Sequence, residues 1–381
     1  MATARQDEHR EGTEATDRDF GAALTPPGWI FHDRPLYERE LADIFRRLWL
    51  AAGHRSRLSA PGDFFVVDVG PESVIVAADD DGHPRAWHNV CRHRGTRLAS
   101  GSGNCRMFRC PYHNWAYGLD GMLRAAPGME AVAGFDRHRF PLREVRVESL
   151  CGFLFINLDD DAEPLASAYA DFPDLSRYDT AGLIRVGRHD YEVAANWKLI
   201  CENYNECYHC SLAHPDLHRV STYQKLPEHD VAGRYFNGGP MGIREGCNTL
   251  TVSGVTANPP LPGISAQEKR LVHYFNLYPN FLFSLAPDYV MAHYLWPRGP
   301  ESVYIETEWF CAPAQMEHPD FDPSDAIDFW DMTNRQDWSL CENAQRGLAS
   351  SAHVPGPYHP SEGGVHAFDR WYVRHMFLPH V

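Results

Sequence analysis

The stretch from Asn196 to Pro215, Asn-Trp-Lys-Leu-Ile-Cys-Glu-Asn-Tyr-Asn-Glu-Cys-Tyr-His-Cys-Ser-Leu-Ala-His-Pro, constrains the fold more than any other part of the chain. It spaces Glu202, Glu206 and His209 by four and three residues, so a helix through this stretch would project all three from one face. His214 would point elsewhere on a continuous helix, but Pro215 disfavours the helical region for the residue before it. The helix is therefore expected to end at or near His214, where the chain can turn that imidazole back toward His209. Two neutral imidazoles and one carboxylate, with the remaining positions open to oxygen and substrate, form a ligand set suited to non-haem Fe(II). A fold that uses it must bring a third ligand from a distant segment.

That ligand can be sought by helix geometry. Asp322-Pro323-Ser324-Asp325 reads as a helix start, with Asp322 as N-cap and Pro323 in the first turn, and the helix is expected to reach about Leu348. Around Asp337, the residues Trp330, Thr333, Leu340, Cys341, Ala344 and Leu348 form an apolar stripe. Asp337 lies in it, whereas Asp325, Asp328 and Asp331 fall off it. A carboxylate aimed into a core is costly unless a cation or donor meets it. Asp337 is thus the expected ligand, with an internally capped or salt-bridged aspartate as the alternative.

A second cluster lies upstream, among short alternating runs such as Phe64 to Val69 and Ser73 to Ala78 that read as strands of a β-domain. Cys91-Arg-His93 and Cys110-Pro-Tyr-His113 are two Cys/His pairs separated by sixteen residues. Two thiolates can hold one iron of a [2Fe-2S] cluster and two imidazoles the other. A structural zinc site also accepts two cysteines and two histidines, although its ligands are more often two to four residues apart.

Cys91-Arg-His-Arg-Gly95 and Cys110-Pro-Tyr-His-Asn-Trp115, followed by Tyr117-Gly-Leu-Asp-Gly121, closely resemble the Rieske domain of Rieske non-haem iron oxygenase α-subunits. The resemblance continues in the opening stretch, where that family's Glu-Asn pair, bridging carboxylate and histidine ligands fall on Glu202, Asn203, Glu206, His209 and His214. Asn334 to Gly347 resembles the segment that carries the ligand aspartate. Most ring-hydroxylating members have Asp at the bridging position; Glu206 with Cys207-Tyr-His-Cys210 is similar instead to the choline, glycine betaine and carnitine monooxygenase branch.

The resemblance implies an α+β fold with a Rieske β-domain over 41–160 and a catalytic domain over 161–381, after an N-terminal segment over 21–40 and a polar, aperiodic tail over 1–20 that is expected to be disordered. The catalytic domain would set helices over a curved antiparallel sheet of the helix-grip, START-like kind. Cys91, His93, Cys110 and His113 would hold a [2Fe-2S] cluster, and His209, His214 and Asp337 a mononuclear Fe(II). Subunits would form a head-to-tail homotrimer in which Glu206 links one subunit's cluster to the next subunit's iron, with Asn203 beside it. Electrons would come from a separate NAD(P)H-dependent flavin/ferredoxin-type reductase, since the chain shows no Gly-x-Gly-x-x-Gly fingerprint. The implied reaction uses O2 to hydroxylate or N-demethylate a betaine-like quaternary or tertiary methylammonium compound. Arene hydroxylation is the alternative within enzymes. An electron-transfer or zinc-binding structural protein is the alternative outside them, and it would not need His209, His214 and Asp337.

Composition bounds these readings. With 381 residues, 44% of them hydrophobic, the chain can build two domains. A net charge of -16 disfavours binding to nucleic acid or an anionic membrane. No apolar run is long enough to span a bilayer, and a cytoplasmic protein is expected. The ten cysteines are read as thiols and metal ligands rather than a disulfide framework. Cys201, Cys207 and Cys210 are assigned to packing, and Cys105, Cys151, Cys247 and Cys311 to buried free thiols. Leu36 to Leu50 reads as a helix. Leu271 to Phe310 reads as strands flooring the substrate pocket, with Phe281, Phe283, Tyr294 and Trp296 as core residues. Asp216 to Gln267, containing Gly238-Gly-Pro240, reads as loop-rich and as the place where substrate identity is set.

Overall fold

The structure, a computed structural model, describes residues 12–225 and 230–378. The chain divides into two compact units, one spanning Ile44–Ser167 and the other built from the residues before Ile44 together with those from Ala168 onward.

In the Ile44–Ser167 unit a seven-stranded antiparallel sheet runs in the order Leu50–His54, Phe153–Asn157, Glu144–Leu150, Pro84–His88, Glu72–Ala78, Asp63–Val69, Ser102–Asn104. Phe65, Val67 and Val69 alternate inward along their strand, as period-2 patterning requires. A three-stranded sheet, Met107–Arg109, Ala116–Gly118 and Leu123–Ala125, packs Phe108, Tyr117 and Leu123 around Trp87. Gly121 has φ +77°, and a Cβ there would collide with the Trp87 indole, so only glycine fits this turn.

In the second unit an eight-stranded antiparallel sheet carries the helices. Its main path is Ile184–Val193, Ser302–Cys311, Val290–Gly299, Phe281–Leu285, Leu271–Leu277, Phe236–Ile243, Ser221–Lys225, and Val231–Ala232 pairs with Phe236–Ile243. The helices used below are α1 (Arg34–Glu40), α2 (Trp197–Tyr204), α3 (Cys210–Ala213), α4 (Pro215–Val220), α5 (Ser324–Leu348) and α6 (Gly363–Phe377). Asn196 starts α2 by accepting from Lys198 N at 3.0 Å. A fully buried ion pair then pins α2. Lys198 Nζ lies 2.5 Å from Glu40 Oε1 of α1, and Trp197 Nε1 and the Tyr372 hydroxyl of α6 also donate to Glu40. With every polar atom of the cluster met, the desolvation cost of the pair is offset in place. Among the described residues no helix is long and apolar enough to cross a membrane.

Three sequence expectations need correction here. Of the tail expected over 1–20, residues 1–11 lie outside the described residues, but Thr13 and Thr16 are fully buried and Asp17 pairs with Arg370 of α6 at 3.1 Å. The helix expected from Leu36 to Leu50 closes in a π-turn over Leu41–Phe45, because Leu50–His54 is drawn into the sheet beside Phe153–Asn157. The segment read as loop-rich contains strands at Ser221–Lys225, Val231–Ala232 and Phe236–Ile243, though its residues 226–229 lie outside the described ones. Gly238-Gly239 sits inside a strand because Cβ atoms there would collide with the Tyr274 carbonyl and the Asp230 carboxylate.

Candidate metal centres and substrate cavity

The two Cys/His pairs occupy matching loops. Cys91 N donates to Thr96 O at 2.9 Å and Gly95 N to Cys91 O at 3.0 Å; Cys110 N donates to Trp115 O at 2.8 Å and Asn114 N to Cys110 O at 3.0 Å. Gly95 (φ +75°) and Asn114 (φ +58°) supply the left-handed residues that close these turns. Cys91 and Cys110 are buried, while His93 is exposed and His113 partly so. The imidazoles sit edge to face with centroids 4.6 Å apart, and His93 stacks on Trp115 at 4.9 Å. Burial would raise the Cys110 thiol pKa, but the backbone N–H groups of Tyr112 and His113 and the Cys91 and Thr96 side chains bring it below its ordinary value. The Tyr117 hydroxyl accepts from Arg92 N at 3.0 Å and lies 3.4 Å from Cys91 Sγ. A single zinc would take the same four residues as one tetrahedral set. Two thiols inside and two imidazoles outside instead fit a two-iron cluster.

The second site corrects the sequence reading of one helical face. α2 stops at Tyr204, and residues 205–209 are not helical. The Glu206 carboxylate instead accepts from Tyr208 N and from the His209 imidazole, a side-chain cap that competes with helix continuation. Glu202 consequently leaves the site. It approaches Asp369 of α6, where burial and then that second carboxyl group raise its pKa well above the ordinary range, while burial raises Asp369 to about 7. The break expected before Pro215 is present: His214 is non-helical at ψ 74° and Pro215 opens α4.

α5 runs from Ser324 to Leu348 with Pro323 rather than the expected Asp322 at its N-cap, while Asp322 Oδ1 accepts from Ser324 N at 2.9 Å. Its buried face comprises Trp330, Thr333, Asn334, Trp338, Cys341 and Gln345, whereas Leu340 and Ala344 face outward. Asp337 projects from this face onto both histidines. Its Oδ1 is 2.8 Å from His214 Nε2, 3.2 Å from His209 Nε2 and 3.1 Å from Asn203 Nδ2. The far nitrogens are also occupied: His209 Nδ1 by Glu206, and His214 Nδ1 by Gln336 Oε1 at 2.7 Å. Such partners fix which nitrogen is turned toward a metal. Burial would lower both histidine pKa values, but Asp337, with Glu206 on His209 and Gln336 on His214, raises them, His209 to about 10. Burial would raise Asp337, and the two imidazoles bring it below its ordinary value. Acidic groups that draw protons onto two converging imidazoles form a site with a demand for positive charge, and a dication fits it.

Beside these ligands opens a cavity of about 60 Å³, walled by Tyr204, Tyr274, Trp330, Trp338, Met241 and Met291, with His293 at its edge. Two polar ends of the wall are tied back: Tyr204 Oη contacts Ser284 Oγ at 2.7 Å, and Trp330 Nε1 donates to Tyr289 Oη at 2.6 Å. His293 bonds Thr307 Oγ1 at 2.6 Å, and burial pushes its pKa down to about 3, so it stays neutral. Phe281, Phe283, Tyr294 and Trp296 are core residues outside the cavity wall. Sequence reasoning missed Gln336, Tyr117 as a partner of Cys91, and the wall residues; only the position of Gln336 next to Asp337 gave a signal.

It also assigned Cys207 and Cys210 to packing as thiols, but the two are joined in a disulfide with a Cα–Cα distance of 4.9 Å. Cys105, Cys151, Cys247 and Cys311 are thiols, of which Cys311 is fully buried and the others partly.

Residues 181–377 match the ring hydroxylating alpha subunit (catalytic domain) family, and residues 48–136 the Rieske [2Fe-2S] domain family. The chain is 31% identical over 390 residues to the glycine betaine monooxygenase oxygenase subunit of Pseudomonas aeruginosa, covering 94% of this chain and 90% of that protein. It is 30% identical to the carnitine monooxygenase oxygenase subunit of Acinetobacter baumannii, with 89% and 90% covered. The crystal structure of the quaternary ammonium Rieske monooxygenase CntA with its substrate L-carnitine superposes with a TM-score of 0.78 at 26% identity, covering 96% of this chain and 98% of that one.

Proposed function

The chain belongs to the Rieske-type ring-hydroxylating oxygenase α subunits, which carry a [2Fe-2S] cluster and a mononuclear iron, and on that premise we propose that it hydroxylates an N-methyl group of a small quaternary or tertiary methylammonium compound. The observation that carries this reading is the aromatic and methionine wall beside His209, His214 and Asp337. A methylammonium group is attracted to aromatic faces, and among the described residues no lysine or arginine lines the cavity to oppose it. The relatives are named as monooxygenases of glycine betaine and carnitine, and the solved neighbour as a quaternary ammonium monooxygenase. An aromatic wall also accepts an arene, which makes arene hydroxylation the reading to be tested against.

In this reading Cys91, His93, Cys110 and His113 hold the cluster, and His209, His214 and Asp337 the mononuclear iron. Bound there, Fe(II) supplies the activation of O2. The protein's own part is positional. Asn203 donates to Asp337 and holds its carboxylate against the two histidines. Glu206 and Gln336 accept the Nδ1 protons of His209 and His214, which leaves both Nε2 atoms as donors to a metal. The cavity wall excludes bulk water and sets a methyl carbon against the open side of the site. Hydroxylation of that carbon gives a carbinolamine, which collapses to formaldehyde and the demethylated amine. Electrons enter from an NAD(P)H-dependent reductase, and in a head-to-tail homotrimer Glu206 links a neighbouring subunit's cluster to this site.

The test is O2-dependent NAD(P)H oxidation with formaldehyde release, using a supplied reductase and a panel of glycine betaine, carnitine, choline and their tertiary amines, with indole and naphthalene alongside. Formaldehyde stoichiometric with demethylated product is expected for at least one member. Hydroxylated indole or naphthalene with no formaldehyde from any amine would replace this reading with the arene one.

A further inference from the structure

Cys207 and Cys210 bracket His209, and their disulfide forms part of the cavity wall. Cys210 Sγ lies 3.9 Å from His209 Nε2, the nitrogen that faces Asp337. The donor atoms of His209, Cys210 and His214 all fall within 4.8 Å of one another, so a sulfur stands in the same small volume as the two imidazoles. In a disulfide that sulfur is a poor ligand, but as a thiolate it is a strong and soft one. We propose that reduction of the Cys207–Cys210 bond creates a second coordination set, His209/Cys210/His214, that takes a borderline-soft dication, Zn(II) above all, in place of the open iron site.

The loop is held in other ways, so opening the bond frees the sulfur without releasing its surroundings. Glu206 caps Tyr208 N and His209, and the Tyr208 ring stacks on His359 at 3.8 Å. In the reduction, a thiolate of a dithiol reductant attacks Cys207, the more exposed residue of the pair at 9% against 3% for Cys210. The S–S bond breaks, and Cys210 leaves with the electron pair as a thiolate beside His209. The reductant's second thiol then displaces Cys207 and closes as a cyclic disulfide, so two electrons pass from reductant to protein, one proton goes to the Cys207 thiol and the other to solvent. With the bond intact, positions around the iron stay open to oxygen and substrate. With it reduced, sulfur fills one of them and shifts metal preference from Fe(II) toward Zn(II). By linkage, a bound Zn(II) then holds the cysteine pair reduced.

The test uses the full chain with its iron-sulfur cluster in place and Zn(II) loaded at the mononuclear site, with and without a phosphine reductant, read by zinc X-ray absorption. A Zn–S shell at about 2.3 Å, distinct from N/O ligands at about 2.0–2.2 Å, is expected only after reduction. Cys207→Ser, which leaves Cys210 unbridged, should show that shell without reductant, and Cys210→Ser should lack it in both states. Cluster absorbance reports folding of each variant, and Cys207→Ala serves if the serine protein is unstable. Only N/O ligands in reduced wild type and in the Cys207 variants, or a Zn–S shell that persists in Cys210→Ser, would overturn the proposal. So would complete alkylation of Cys207 and Cys210 in air-oxidised protein.

Discussion

Cys91 and His93 belong to one loop and Cys110 and His113 to another, each closed by hydrogen bonds between its own residues, whereas His214 and Asp337 stand 123 residues apart and meet through the packing of helices. The first site is written into short segments of backbone. The second exists only while α5 stays packed on α2, and α2 in turn rests on the buried Lys198–Glu40 pair and lies near the Glu202/Asp369 carboxyl groups of the α6 side. A lesion in the second site should therefore spare the first, and the ionisable scaffold around α2 should make the second unit's stability depend on pH.

The sharpest break in this contrast comes from Asp337→Ala. It should lose the mononuclear iron and bring turnover below detection while the cluster's visible absorbance and EPR signal persist. If turnover survives and Asp331→Ala is dead instead, the ligand has been misassigned; in the structure Asp331 is engaged by His189, Tyr191 and Arg335. Glu206→Gln should keep both metal centres but lower turnover by about 10–100-fold, the range typical for a carboxylate that orients a ligand histidine. Single turnover of the pre-reduced variant decides its role: cluster oxidation at the wild-type rate would remove Glu206 from the electron path.

Asp369→Asn probes the ionisable scaffold. Asp369 has a folded pKa of about 7 against 3.8 unfolded, so the native state binds more protons between about pH 4 and 7. Its contribution to stability is complete below pH 4 and is lost as pH rises through 7. The asparagine, which cannot ionise, should escape that loss, so its unfolding free energy relative to wild type should climb between pH 5 and pH 8, by about 2–3 kcal/mol. A constant difference across that range would show that Asp369 does not titrate there. The smallest effect is expected in the local site. Tyr117→Phe removes a hydroxyl close to Cys91 Sγ and should lower the cluster's reduction potential by roughly 40 mV, the equivalent of one hydrogen bond of about 1 kcal/mol, without loss of iron or sulfide. An unchanged potential in a protein-film measurement would mean that the hydroxyl serves Arg92 N alone.

The same contrast governs what could be read from the sequence. Cys-x-His and Cys-x-x-His were legible because the loops that use them are local, and His214 because Pro215 forces the turn. Asp337 was identified through a stripe that was only partly right: Leu340 and Ala344 face outward while Asn334, Trp338 and Gln345 are buried, yet Asp337 lies within either version. Glu202 was misplaced because helical spacing cannot anticipate a glutamate that caps its own backbone and stops α2 at Tyr204. The strand through Gly238-Gly239 was hidden because its glycines answer to Tyr274 and Asp230, which reach them only in the folded chain. The Cys207–Cys210 bond was missed because a cysteine count describes the chain's surroundings and not one four-residue loop.

Two of the sources of the cavity wall are not equally free to change. Trp330, Thr333, Asn334 and Trp338 lie on α5 with Asp337, the proposed iron ligand, so any substitution that shifts that helix to fit a new substrate also shifts the carboxylate. Met241, Tyr274 and Met291 lie on strands that carry none of the proposed ligands. Divergence toward new substrates, in nature or in directed evolution, therefore has its cheapest route through the strands, and the helix will hold its residues long after the sheet has varied.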